Sequence, residues 1–316
     1  MSDGRLSGVP CTVLGAGGFI GSHLCQALVA AGANVRGFGR RPVFPDSMPR
    51  INFTYGEFND RTALARAVDG AEVVFHLLGG TTPEASNNDP AADVLSSTLA
   101  SIHLFELCRS SGVRKLVFAS SGGTVYGIPS EVPITEEART DPISAYGINK
   151  LSVEKFAQLY DHLGGAKAVS LRIANPFGPF QSPSRRQGLI PAATMALLAD
   201  VPFEVWGDGS VIRDYVYVTD VAEALVSAAT YDGAFGIFNI GSGVGRSIVD
   251  VVNSLAELVG RTPKLRFKAS RRADVPKNIL DIQRANDALA WSPRTDWVDG
   301  LEKSLEWVRA FEVKHR

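Results

Sequence analysis

A tyrosine and a lysine four residues apart stand in the stretch Tyr146-Gly147-Ile148-Asn149-Lys150. On a helix that spacing puts both side chains on one face. A cation beside a phenol favours the phenolate and lowers a pKa that is ordinarily about 10. Such a pair is a base usable near neutral pH. Taken alone it is common on solvated helix faces. Two neighbours in the sequence give it weight: Ser120-Ser121, which close the preceding apolar run, and a glycine-rich turn near the start of the chain.

That turn reads Thr12-Val13-Leu14-Gly15-Ala16-Gly17-Gly18-Phe19-Ile20-Gly21. An apolar strand runs into Gly15, Gly18 and Gly21, and a helix-forming segment follows. Gly15 permits the tight turn, Gly18 lets backbone approach a pyrophosphate, and Gly21 lets helix and strand pack closely. The helix start offers free N–H groups and partial positive charge to phosphate oxygens. The pattern predicts a dinucleotide-binding strand–turn–helix unit.

The elements that would carry these groups alternate. Strands are expected at 10–14, 34–38, 51–55, 73–78, 115–120 and 169–173, and helices at 21–31, 61–68, 93–111 and 144–163, which predicts a parallel sheet. From about residue 176 the pattern changes. The stretch 175–183 reads as a loop. Helices follow at 190–198, 248–259 and 297–311, with a short strand at 203–206. Strands near 214–218 and 238–240 are expected to return to the main sheet. The expected fold class is α/β: a doubly wound parallel-sheet domain over residues 1–175, with segments near 213–241 returning to it, and a smaller C-terminal α/β substrate domain over 176–316.

Composition narrows the class. The 316 residues carry 32 Lys and Arg against 33 Asp and Glu, a net charge of −1, which gives no general attraction to nucleic acid or an anionic membrane. No apolar run reaches membrane-spanning length and no signal peptide is read at the N-terminus, so a cytoplasmic protein is expected. Cys11, Cys25 and Cys108 lie in no metal-like spacing, and His23, His103, His162 and His315 share no spacing with carboxylates, so no metal site is expected. His76, inside an apolar strand, reads as a hydrogen-bonded core residue.

Together these residues resemble the extended short-chain dehydrogenase/reductases of the NAD-dependent sugar-nucleotide epimerase/dehydratase family, UDP-glucose 4-epimerase-like members above all. The resemblance spans nearly the whole chain. It rests on Gly15–Gly21, Tyr146 with Lys150, and Phe118-Ala119-Ser120-Ser121-Gly122-Gly123-Thr124-Val125-Tyr126-Gly127. It rests further on Asn175-Pro176-Phe177-Gly178-Pro179, Arg213-Asp214-Tyr215-Val216-Tyr217-Val218 and Leu289-Ala290-Trp291-Ser292-Pro293. It implies a Rossmann domain, a nucleotide-sugar substrate, bound NAD and a homodimer formed through helices 93–111 and 144–163.

The resemblance also implies roles. Tyr146 would be the acid/base, and Lys150 would hold the nicotinamide ribose and depress the tyrosine pKa. Phe19 and Ile20 would meet the pyrophosphate. Glu57 and Phe58 would border the adenine, and Leu77, Leu78, Gly79 and Ser120 would line the rest of the cofactor. Asn175, Arg213 and Arg271 would bind the substrate diphosphate. Leu189, Phe203, Val205 and Trp206 would border the nucleobase.

Three departures qualify this. The serine or threonine that relatives place four residues before the tyrosine matching Tyr126 is here Gly122, so the second hydroxyl must come from Ser121 or Thr124, with Thr124 slightly favoured, or be absent. The second strand ends Gly37-Phe38-Gly39-Arg40-Arg41, without an acidic residue for the adenosine ribose, and Arg40 and Arg41 suit a 2′-phosphate, so NADP is possible beside NAD. Ser97 stands where an asparagine is common. The expected activity is a nucleoside-diphosphate-sugar 4-epimerase, with an NADPH-dependent 4-ketosugar reductase and a catalytically silent dinucleotide-binding relative as alternatives. A 4,6-dehydratase would need an Asp-Glu pair where this chain has Gly123 and Thr124.

Overall fold

The computed structural model describes residues 5–79, 82–183, 188–233, 236–270 and 275–315. In chain order its elements are β1 (Pro10–Leu14), α1 (Phe19–Ala30), β2 (Asn34–Gly39), β3 (Asn52–Tyr55), α2 (Arg61–Val68) and β4 (Val73–His76). Next come α3 (Pro83–Asn88), α4 (Pro90–Asp93), a π-helical turn (Val94–Leu99), α5 (Ala100–Ser110), β5 (Lys115–Ser121), α6 (Ala145–His162), β6 (Lys167–Ile173) and β7 (Asn175–Phe177). Then follow α7 (Leu189–Ala199), β8 (Phe203–Trp206), β9 (Ile212–Tyr217), α8 (Val218–Ala229), β10 (Gly236–Ile240), β11 (Gly245–Ser247) and α9 (Ile248–Val259). β12 (Leu265–Lys268), β13 (Lys277–Asn278), α10 (Gln283–Leu289) and α11 (Trp297–His315) complete the described chain.

Seven parallel strands form the main sheet in the order β10-β6-β5-β4-β1-β2-β3. The order reverses between β1 and β4, and a crevice at such a reversal, at the carboxyl ends of the strands, is where open α/β sheets bind ligands. Alternate residues of each central strand feed opposite cores. Val13, Phe75, Val117 and Leu171 pack with Leu24 and Leu28 of α1 and Leu225 of α8. Leu14, Val74, Leu116 and Phe118 pack with Leu64 of α2, Leu104 of α5 and Val153 of α6. Burying each such side chain contributes about 1.5–3 kcal/mol, which is why the strands read as continuous apolar runs.

A third core gathers Phe177, Ile190, Leu197, Tyr217, Val251, Leu255 and Leu301. It holds a small sheet in which β9 pairs with β11, β13 and β7, and a two-stranded parallel pair of β8 and β12. Two expectations are corrected here. β10 joins the main sheet beside β6, but β9 does not. Its neighbours lie at residues 175–177, 245–247 and 277–278, partners that local pattern cannot reveal. The stretch 175–183, read as a loop, begins with one of them, β7.

The single helix expected at 93–111 is instead α4, a π turn and α5. Long-range contacts account for the break. Ser97 faces Gly79, where an added Cβ would lie 2.8 Å from the Ser97 Oγ. Thr98 donates to Asn149 on α6, and the Ser101 hydroxyl meets His76 on β4. A π turn adds one residue to the ladder and re-aims the side chains that follow it, and such turns are frequent at functional sites.

Candidate active site

The glycine turn has the geometry its spacing predicts. Gly15 has φ of +88°, and a Cβ at Gly21 would sit 2.1 Å from the Gly15 carbonyl oxygen. No side chain caps the N-terminus of α1, so its first N–H groups, at Phe19 and Ile20, are left to a ligand. On the far side, Leu77 and Leu78 are half-buried, and Gly79, at φ of +76°, turns the chain as it leaves β4. A bare helix start over a backbone that tolerates no Cβ fits a dinucleotide pyrophosphate.

Across the switch point stands the reactive pair. Ser144 caps α6 through the Gly147 N–H at 3.2 Å, which sets Tyr146 in the first turn. A Cβ at Gly147 would lie 2.7 Å from the Thr124 carbonyl oxygen. Gly147 therefore lets the turn after β5 press against α6. That approach brings the Ser121 side chain close enough to the Tyr146 phenol to pull its pKa down. Thr124 Oγ1 is buried with no partner among the described residues. At Gly122, a Cβ would meet Leu280 Cδ1 at 2.5 Å and the Arg172 carbonyl oxygen at 2.8 Å. The position that holds a hydroxyl in relatives is filled by packing here, and of the two candidates it is the Ser121 side chain that acts on the phenol.

The electrostatics differ from the expectation. Burial pushes the Tyr146 phenol up to about 12; the Ser121 side chain pulls it down and the Asp93 charge pushes it further up. The Lys150 ammonium donates to the Ala119 carbonyl at 2.9 Å, 4.8 Å from the Phe118 ring centre and 5.8 Å from that of Tyr146. Burial pushes Lys150 down to about 8, against the favourable charges of Asp93 and Glu154. In the protein by itself desolvation by burial dominates the phenol, which keeps its proton at neutral pH.

A polar cluster behind this pair went unread in the sequence. Asp93, buried, accepts from Asn149 Nδ2 at 2.7 Å and from the Ser86 hydroxyl, and Thr98 donates to Asn149 Oδ1 at 3.2 Å. Asn149 lies on α6 between Tyr146 and Lys150. A mid-helix asparagine is unfavourable unless partnered, and that was the available signal. Below it, Glu154 takes a bidentate ion pair from Arg172, with Nη2–Oε2 at 2.7 Å, and also accepts from Ser120. Ser120, expected to line the cofactor, is thus engaged inside the fold. Tyr126 donates to Asn239 at 2.7 Å and is structural. His76 is buried and bonded to Ser101, as a core histidine should be.

The substrate-side residues divide. Asn175 donates to the Asp214 carbonyl at 2.9 Å, and Arg213 donates to the Ile212 and Val275 carbonyls. Leu189 and Phe203 pack against the third core, and Trp206 is exposed beneath the Lys268 ammonium at 5.2 Å. Val205 is buried, on the same short strand as Phe203 and Trp206. Arg271 lies outside the described residues. Arg40, Arg41 and Glu57 line one pocket with Tyr55 and Gly56, of about 630 Å³, while Phe58 packs on His76 with ring centres 5.1 Å apart. The three cysteines are buried thiols pushed up to about 12 by desolvation, and no group of metal-ligating side chains occurs among the described residues. No described helix is long and apolar enough to cross a membrane.

Residues 11–241 match the NAD dependent epimerase/dehydratase family. The chain belongs to that family. It is 33% identical to the UDP-glucose 4-epimerase of Mycolicibacterium smegmatis, over 94% of this chain and 97% of the relative. It is 30% identical to a dTDP-4-dehydro-6-deoxyglucose reductase of Escherichia coli, over 97% of this chain and 99% of the relative. The crystal structure of the Thermotoga maritima UDP-glucose 4-epimerase with UDP-glucose superposes with a TM-score of 0.92 at 32% identity, covering 96% of this chain and all of that one. The family's Rossmann-type sheet and its dinucleotide chemistry are therefore those of this chain.

Proposed function

We propose that this protein is a nucleoside-diphosphate-sugar 4-epimerase of the UDP-hexose type, working with bound NAD. The observation that carries the reading is the buried Tyr146–Lys150 pair at the switch point, with the Ser121 side chain acting on the phenol, opposite the uncapped start of α1. The similarity to two UDP-glucose 4-epimerases supports it. Bound NAD would supply a hydride acceptor and a positive charge. The residues do the rest. With that positive charge beside it Tyr146 would stand as the phenolate; its oxygen takes the proton of the sugar 4-hydroxyl and becomes the neutral phenol, and the Ser121 hydroxyl stabilises the phenolate before the transfer. Thr124 Oγ1, unpaired and buried, costs about 1–3 kcal/mol in the free protein, a cost removed when a substrate hydroxyl reaches it. Lys150, tied to Ala119, holds the cofactor ribose. Asn175 and Arg213, with Arg271, serve the diphosphate. The test is interconversion of UDP-glucose and UDP-galactose without added reductant. A protein that binds NAD and leaves every nucleotide sugar unchanged at C4 would overturn the assignment.

A second reading, reduction of a nucleotide 4-ketosugar by NADPH, is favoured by the Arg40–Arg41 pocket and by the Escherichia coli reductase relative. It predicts stoichiometric consumption of NADPH on a keto sugar. We further propose a homodimer. Val94, Leu95 and Leu99 on the π turn and Ile148 and Leu159 on α6 are exposed apolar side chains on the helices through which the family pairs.

A further inference from the structure

We propose that Phe180 and His23 are positioning residues. Through them the first turns of α1 fix the far end of β7, the strand whose Asn175 serves the substrate diphosphate, so that affinity for the nucleotide sugar depends on an aromatic cluster built around Phe180. The proposal rests on the nucleotide-sugar reading of the site.

Phe180 has φ of +66°, in the left-handed region that a ring-bearing residue rarely occupies. Such strain persists only where the surroundings over-determine it, and it gathers at binding segments. What holds Phe180 is aromatic. Its ring centre lies 5.1 Å from that of His23 on α1, 6.1 Å from that of Phe44 in the segment after β2, and 4.8 Å from that of Trp307 on α11. Phe44 in turn meets Trp307 edge-on at 4.8 Å and Phe311 at 6.0 Å. None of these rings belongs to the three cores. Trp307 Nε1 is buried with no partner among the described residues, so packing places the indole.

His23 adds a directional tie. It is buried, and desolvation lowers its pKa, so the ring is neutral at pH 7. A carbonyl only accepts, so the neutral ring carries its proton on Nε2 and donates to the Pro179 carbonyl at 3.0 Å. His23 stands about one turn beyond Phe19 and Ile20, which open α1. On the other side, Asn175 opens β7, which pairs with β9, and donates to the Asp214 carbonyl at 2.9 Å. Between the two ends Gly178 leaves no room for a side chain: a Cβ there would lie 2.7 Å from Val218 Cγ1. β7 is therefore held at its start by β9 and just past its end by α1. A shift of Phe180 passes to Asn175 along a short, tightly packed stretch.

The experiment compares the NAD-bound parent with Phe180→Gly, His23→Leu, Trp307→Ala and Trp307→Phe. The readouts are calorimetric titration with UDP, epimerase kinetics on UDP-glucose, and bound NAD content. Phe180→Gly removes the ring and relaxes the left-handed backbone, and circular dichroism checks folding in every variant. In Phe180→Gly, His23→Leu and Trp307→Ala the dissociation constant of UDP and the KM for UDP-glucose should rise about ten-fold, with kcat within about two-fold and NAD content unchanged. Trp307→Phe keeps an aromatic edge against Phe180 and should stay within about two-fold of the parent in every readout. A loss of general structure would instead lower kcat and NAD content together with UDP affinity, and that pattern would overturn the proposal. So would UDP affinity that does not move in the three disruptive variants. A parent that binds NAD but no UDP would overturn the nucleotide-sugar reading and this proposal together. A parent that binds UDP, beside variants that bind it equally well, would overturn the proposal alone.

Discussion

Tyr146 holds its proton in the protein alone, because burial and the Asp93 carboxylate both oppose the phenolate. Tyr146→Phe should lower turnover by about 10²–10⁴-fold while leaving NADH affinity within two-fold, read by a coupled epimerase assay and a fluorescence titration. Asp93 acts through its neighbours. Asp93→Asn can still accept from Asn149 but loses the charge that raises the phenol. The acidic limb of kcat/KM against pH should therefore move to lower pH; an unmoved limb would reduce Asp93 to a structural role. Lys150 carries the opposite sign. Its folded pKa of about 8 lies below the ordinary value of 10.5, so at pH 7 the buried charge is a full cost, relieved as pH rises from about 8 to 10. Lys150→Met should thus melt no lower than the parent at pH 7, with that advantage shrinking by pH 10 in paired thermal scans. Glu154 keeps Arg172 in that variant, and Asp93 keeps Ser86 and Asn149.

Among the elements, the turn after β5 decides which hydroxyl serves the phenol. Gly122→Ser, the change that would restore the family's usual residue, drives a Cβ against Leu280 and the Arg172 backbone. It should cost about 1–3 kcal/mol in urea unfolding and give no rate increase. A gain in rate would mean that the hydroxyl reaches the substrate after repacking. The start of α6 and the glycine turn were legible because each depends on residues within six positions of one another: Ser144 with Gly147, Gly15 with Gly18 and Gly21. The π turn before α5 was not. Its cause lies in Gly79, His76 and Asn149, none of them on that helix.

In the whole molecule, two cores flank one parallel sheet and a third holds the smaller layer. The exposed apolar residues of the π turn and α6 lie outside all three. Light scattering should give a mass about twice the 33.8 kDa of the chain, and Leu95→Arg with Ile148→Arg should halve it without lowering the cofactor affinity of the remaining monomer. A parent protein that scatters as a monomer would remove the dimer.

Alternating apolar runs and helical periods were enough to predict the parallel sheet, its first six strands and the glycine turn, because hydrophobic burial and backbone sterics act through local spacing. The Tyr146–Lys150 pair was legible for the same reason. Tertiary structure alone decided that β9 leaves the main sheet, that the Ser121 side chain acts on the phenol, and that burial dominates the titration of both Tyr146 and Lys150. Each of those outcomes depends on which distant segments exclude water from a site, a quantity that spacing along the chain does not encode.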